Sequence, residues 1–276
     1  MTASDVSLPP LACETHSHVY GDQQPYPLHA GHAVPGGSLE NYRKVCRSLG
    51  VERHVLVQAM AYATDTRWLL RAIAETGLSR ARGVICPDDS LSADDLAELH
   101  RQGIRGVRFL SGPGAAVDTP AILATARRIA PLRWSVLVQA PAVALAEAYD
   151  ALACAECPVV IDHMARVPPG MDVHDDVFQA LLQFLRGGGW IKISAPYYGT
   201  DDGRADFGAL RARLDGLLDT ARDRAIWGMN WPHPSLAADR KPDEAATLRS
   251  LLAIMPDAAT RQALFANNPA RLYGFG

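Results

Sequence analysis

The chain has 276 residues, of which 48% are hydrophobic and 21% charged, with a formal net charge of −3. That balance supplies no extended positive field, so nucleic acid is not an expected partner and a small-molecule ligand is. No apolar run reaches the roughly 18 residues of a membrane span, and residues 1–10 lack the basic and apolar regions of a secretory leader, so the expected location is the cytoplasm.

In chain order, short β-branched or apolar runs alternate with segments of helical period. A strand at 11–16 precedes a Gly- and Pro-rich stretch, 20–38, read as a loop over the site that brings Tyr26, His29 and His32 near it. Helix 39–50, strand 54–58, helix 66–77, strand 83–87 and helix 93–102 follow. Next come strand 106–110, helix 121–130, strand 135–139 and helix 143–155. Strand 159–163, helix 177–186, strand 190–194, helix 207–221, strand 225–229 and helix 244–254 complete eight pairs, and 258–276 reads as one more helix packed on the outside or the floor. Eight strand-helix pairs without a linker predict a (β/α)8 TIM barrel forming a single domain over 1–276, and no Gly-rich phosphate turn follows the first strand. The odd count of cysteines (Cys13, Cys46, Cys86, Cys154, Cys157) predicts buried, reduced thiols, with the Cys154/Cys157 pair lacking the second ligand pair of a zinc site.

Chemistry in such a barrel sits where strands stop. The first strand ends in His16-Ser17-His18, the second in Gln58, the fourth in Arg108 and the fifth in Gln139. The sixth ends in Asp162-His163 with Arg166 beyond, the seventh in Lys192 and Ser194, and the eighth in Asn230 followed by Trp231-Pro232-His233. Strand period two puts His16 and His18 on one side. Arg108 and Arg166 offer guanidinium forks matched to carboxylates, so an anionic substrate is expected, unless either is spent on Asp162. Lys192 reads equally as a substrate clamp or as a buried structural cation, and Tyr197 and Tyr198 as hydrogen-bonding groups or rim packing. His233 is either a fourth catalytic histidine or a support for the others.

These residues resemble a known family: His16-x-His18, Asp162-His163-Met164-Ala165-Arg166, Trp227-Gly228-Met229-Asn230-Trp231-Pro232-His233-Pro234 and the ending Asn268-Pro269-Ala270-Arg271-Leu272-Tyr273-Gly274. Together they are similar to the amidohydrolase superfamily, in its branch containing 2-pyrone-4,6-dicarboxylate lactonase. The resemblance implies hydrolysis of a small carboxylated lactone without metal or other cofactor, with His16, His18 and His163 polarising the carbonyl and Arg108 and Arg166 clamping carboxylate. Metal-dependent relatives add a histidine from the fifth strand and an aspartate from the eighth, where this chain has Gln139 and Asn230, poor ligands for zinc.

Asn230 departs from the pattern, because an amide cannot take a proton from water. Three readings stay open on the sequence. A histidine serves as base of a hydrolase while Asn230 orients water or the oxyanion; or a substrate hydroxyl attacks the lactone, as in sugar-acid (aldarolactone) lactone isomerases; or the asparagine has been introduced to trap substrate. A catalytically silent barrel that binds an anionic ligand is the alternative outside enzymes. Tyr198 stands where the lactonase tends to have a further carboxylate-binding arginine, which implies a substrate with one carboxylate fewer or with hydroxyl groups.

Overall fold

A computed structural model describes residues 7–22, 25–255 and 257–276, so 1–6 of the expected domain and 23–24 of the expected loop lie outside the described residues. Strands β1 (Cys13–Ser17), β2 (Arg53–Val57), β3 (Ala81–Ile85), β4 (Ile104–Leu110), β5 (Ser135–Gln139), β6 (Val159–Ile161), β7 (Trp190–Ile193) and β8 (Ala225–Trp227) form one parallel sheet in sequence order. Helices α1 (Leu39–Leu49), α2 (Arg67–Thr76), α3 (Ala93–Arg101), α4 (Thr119–Ile129), α5 (Ala142–Leu152), α6 (Asp176–Arg186), α7 (Arg211–Ala221) and α8 (Glu244–Ile254) follow the strands in turn. The sheet curls until the end of β1 meets the chain beyond β8. Ser17 bridges Trp231, the Asn230 amide donates to the His16 carbonyl at 2.8 Å, and the His18 amide donates to Trp231 at 2.7 Å.

Strands covered on both faces must be apolar on both. Val55, Val57, Val84, Leu137, Val160 and Ile226 fill the barrel interior, while Leu56, Ile85, Val136, Val138, Ile161 and Ile191 pack outward on the helices. The helix starts are capped as their sequences require. Ser38 accepts from the Asn41 amide, and Ser92 and Asp95 form a reciprocal capping box on α3.

The final segment is not one helix. It runs as α9 (Ala258–Gln262), a π-helical turn at Ala263–Asn267 and α10 (Asn268–Tyr273), which Pro269 helps to start. Leu272, Tyr273 and Phe275 join the interior cluster and close the floor. Arg82 holds them there, donating to the Tyr273 carbonyl at 3.1 Å and the Gly274 carbonyl at 2.6 Å, while Arg53 donates to the Gly276 carbonyl.

Several expected boundaries move, those of β3, β6 and β8 the ones that bear on the sheet and the site. β3 lies at Ala81–Ile85 rather than 83–87, because Pro87 has no N–H for the ladder. β6 and β8 stop at Ile161 and Trp227, short of 163 and 229. The chain leaves them through left-handed backbone, with φ of 54°, 51°, 58° and 49° over His163 to Arg166 and 66° at Asn230. Each such residue costs about 1 kcal/mol or more outside glycine, so the surrounding packing holds these turns in place. All five cysteines are free as expected, but Cys154 is exposed at the end of α5 rather than buried. No helix among the described residues is long and apolar enough to cross a membrane.

Candidate active site

A register shift between Glu14 and Ser17 near the end of β1 lets His16 reach the charged groups of β6 and β7 while Glu14 bonds to Tyr42 of α1. The Glu14 carboxylate accepts from the backbone amides of His16 (2.7 Å) and Met229 (2.8 Å) and from the Tyr42 hydroxyl (2.9 Å), tying β1 to the chain after β8. Burial pushes its pKa up. Gly228 makes the approach possible, since a Cβ there would stand 2.7 Å from the His16 Cβ.

Three imidazoles converge. The His16 ring centroid is 5.0 Å from that of His18, with the planes at 87°, and 4.6 Å from that of His163. All are buried, and burial lowers their pKa values, His18 to about 4 and the other two well below the ordinary range, so all three are neutral at pH 7. Their Nδ1 atoms are engaged: His16 by Lys192 Nζ at 3.1 Å, His18 by the Val57 carbonyl at 2.9 Å, His163 by Ser194 Oγ at 2.7 Å. Nε2 of His16 and Nε2 of His163 are buried without a partner.

Asp162 anchors this cluster. Its Oδ1 lies 3.0 Å from Lys192 Nζ and 3.4 Å from His16 Nδ1, and its Oδ2 accepts from Arg108 Nε at 2.8 Å. Burial opposes its charge, but the Lys192 and Arg108 cations outweigh burial and hold the carboxyl well below its usual range. Arg108 also donates to Gln139 Oε1. The expected carboxylate clamp at Arg108 is thus largely committed to Asp162 and Gln139. Lys192 is fully buried, with its Nζ on Asp162 and His16.

Arg166 differs. It is half-buried, lies 4.3 Å over the Tyr198 ring and has no carboxylate partner among the described residues, so its fork remains available to an anion. Tyr198 bonds to Ser235 at 2.8 Å, and its ring lies 5.7 Å from that of His163. Asn230 Nδ2 donates to the Tyr197 hydroxyl at 2.7 Å; His233 Nδ1 lies 3.3 Å from the same hydroxyl, and His233 Nε2 lies 2.5 Å from Glu244. His233 therefore supports Tyr197 and Asn230. Gln58 spends its amide N–H groups on the Ala63 and Asp65 carbonyls, leaving a buried Oε1 without a partner. In the 20–38 loop Tyr26 packs on Trp68 and His29 bonds to Asp65, while His32 is exposed.

Glu14 and Glu244 are absent from the sequence expectations. Glu14 had a visible signal, a carboxylate inside an otherwise buried strand; Glu244, eleven residues past His233 at the start of α8, had none.

One donor set has metal-binding spacing: atoms of His16, Asp162 and His163 lie within 4.8 Å of one another. A divalent ion there fits poorly. Both Asp162 oxygens already face fixed cations, and Lys192 Nζ occupies the position beside His16 Nδ1 and Oδ1. An added dication would sit against an ammonium in a buried site.

The amidohydrolase family model matches residues 13–275, nearly the whole described barrel. The chain belongs to the amidohydrolase family. This amidohydrolase is 32% identical to a 2-pyrone-4,6-dicarboxylate hydrolase of Comamonas testosteroni, over 96% of this chain and 91% of that one. It is 29% identical to a D-galactarolactone isomerase of Agrobacterium fabrum, over 99% of this chain and 94% of that one. A solved structure from Acinetobacter baumannii, described as a probable 2-pyrone-4,6-dicarboxylic acid hydrolase with citric acid bound, superposes with a TM-score of 0.80 at 25% identity, covering 96% of this chain and all of that one. In this amidohydrolase the β8 segment carries Asn230 next to the β1 histidines, tied to them through the His16 carbonyl.

Proposed function

We propose that this amidohydrolase acts on a small carboxylated lactone, hydrolysing its ester bond. The observation that carries the reading is the pair of buried, partnerless Nε2 atoms on His16 and His163, whose rings lie 4.6 Å apart near the uncommitted Arg166. Two hydrogen-bonding groups held in a water-poor site stabilise the charge that develops on an attacked carbonyl oxygen, and Arg166 meets the carboxylate. The hydrolase name of one relative and the citrate held by another support an anionic lactone substrate.

A second reading, isomerisation of an aldarolactone, is favoured by Asn230. An amide supplies no base for water, and a relative with the isomerase name aligns along the whole chain. The reaction is proposed to need no metal, because Lys192 and Arg108 already neutralise Asp162. The free thiols support a cytoplasmic setting.

The test incubates purified protein, with and without chelator, with 2-pyrone-4,6-dicarboxylate, a muconolactone and an aldarolactone, and follows products by NMR. Ring opening is expected; a shifted ring establishes the isomerase. Binding without any product leaves a silent ligand-binding barrel and sinks both enzyme readings. Activity lost on chelation and restored by a divalent ion overturns the metal-free chemistry.

A further inference from the structure

The three histidines look alike in sequence, but their Nδ1 partners are chemically different. A backbone carbonyl has no proton to give, so the 2.9 Å contact of His18 Nδ1 with the Val57 carbonyl requires the proton on Nδ1. Neutral His18 then carries a bare lone pair on Nε2. An ammonium has no lone pair to accept with, and Lys192 Nζ, itself 3.0 Å from Asp162 Oδ1, stands nearer to His16 Nδ1 (3.1 Å) than that oxygen does (3.4 Å), which favours the lone pair on Nδ1 and the proton on Nε2. For His163 the partner is the Ser194 hydroxyl, fully buried, whose proton has His163 Nδ1 as its recorded acceptor among the described residues. A buried hydroxyl proton needs an acceptor, so His163 also carries its proton on Nε2.

We infer that His18 Nε2 is the proton acceptor for the attacking oxygen, while His16 and His163 hold the carbonyl oxygen through their Nε2–H groups. This deepens the lactone reading and rests on it. The partnerless state of Nε2 on His16 and on His163 fits donors that await an acceptor, and the two ring centroids lie 4.6 Å apart. With Asn230 in place of an aspartate, His18 is the one of the three whose outward nitrogen can take a proton.

The step balances. As the nucleophile oxygen bonds to the carbonyl carbon, its proton passes to His18 Nε2 and the carbonyl π pair moves onto the oxygen held by His16 and His163. When that pair returns, the bond from carbon to the ring oxygen breaks and His18 returns the proton to the departing oxygen. Water as nucleophile gives the opened acid and alcohol. A substrate hydroxyl gives the isomeric lactone, so one base serves either outcome.

Two measurements on the intact protein test this. Nitrogen-15 spectra of the labelled histidine rings are expected to show His18 protonated at Nδ1 and bare at Nε2, with His16 and His163 reversed; His18 protonated at Nε2 overturns the inference, whatever the substrate proves to be. In kinetics, His18→Asn keeps an amide N–H for the Val57 carbonyl but has no basic nitrogen, and is expected to lose about 10²-fold or more in kcat. His18→Ala is expected to regain rate on adding imidazole, in proportion to its unprotonated form. A folded His18→Asn variant with kcat within a few-fold of the parent, or a His18→Ala variant that imidazole does not help, overturns the assignment. If the parent protein turns over none of the lactones, the functional reading fails by itself and the base role falls with it, while the ring spectra still decide the tautomers.

Discussion

The Tyr197 hydroxyl sits between two site residues, 2.7 Å from Asn230 Nδ2 and 3.3 Å from His233 Nδ1. Glu244 faces His233 Nε2 at 2.5 Å and fixes the ring against Tyr197, whose oxygen accepts from Asn230. The amide of Asn230 is thereby oriented with its Oδ1 left over for ligand. Tyr197→Phe removes this hold. It is expected to cost about 1–3 kcal/mol of stability through orphaned buried groups and to lower kcat/KM by about tenfold. Denaturation and steady-state kinetics measure both, and an unchanged kcat/KM denies Tyr197 the orienting role.

Asn230→Asp restores a carboxylate beside the histidines. Water attack is expected to rise by about tenfold or more, visible as opened acid in NMR spectra of the product mixture, and from an aldarolactone the opened acid grows at the expense of the shifted ring. No rise in hydrolysis shows that position 230 does not limit water activation.

Lys192→Met leaves Asp162, fully buried, with only Arg108 as a fixed cation. Breaking a buried pair from one side is expected to cost about 3–5 kcal/mol. Adding Asp162→Asn removes the stranded charge, so the double variant should be more stable than the sum of the singles in urea denaturation. Strict additivity speaks against the pairing.

Burial holds His18 and His54 at about 4 in the folded protein, below the ordinary value of about 6.5 in an unfolded chain. As pH falls from 6.5, the unfolded chain takes up protons first, so their stabilising contribution is complete above about 6.5 and is lost progressively toward 4. Each costs roughly 3 kcal/mol by pH 4, and His16 and His163 act in the same direction. Asp162 is depressed below a normal carboxyl, so its contribution is lost only at lower pH. The unfolding free energy is expected to drop steeply between pH 6.5 and 4, with a shallower slope in His54→Gln; a flat profile contradicts neutral buried imidazoles.

Gly228→Ala places a methyl 2.7 Å from the His16 Cβ and 3.1 Å from its backbone nitrogen. The β1 strand must move, and activity is expected to fall by more than tenfold together with the melting temperature. An active, equally stable variant shows that the seam has slack.

The barrel was legible because buried parallel strands demand apolar runs at a regular spacing, and because His16, His18, His163 and Asn230 stand at strand ends, where this topology gathers side chains regardless of sequence separation. The floor formed by Leu272, Tyr273 and Phe275 was less so, since the π-helical turn at Ala263–Asn267 breaks the period that one helix would have.

Residue identity along the chain settled which chemical groups reach the mouth: imidazoles, an amide in place of an aspartate, and guanidinium forks. Tertiary structure decided what each of them is free to do. Arg108 and Lys192 are cations on paper, yet Asp162, Gln139 and His16 take up several of their donors, whereas Arg166 keeps its fork. The three imidazoles became distinguishable only through their neighbours, a carbonyl at the end of β2 and an ammonium and a hydroxyl from β7 and its end. Hydrogen-bond direction is a property of pairs, and pairs drawn from distant strands exist only once the cylinder has closed.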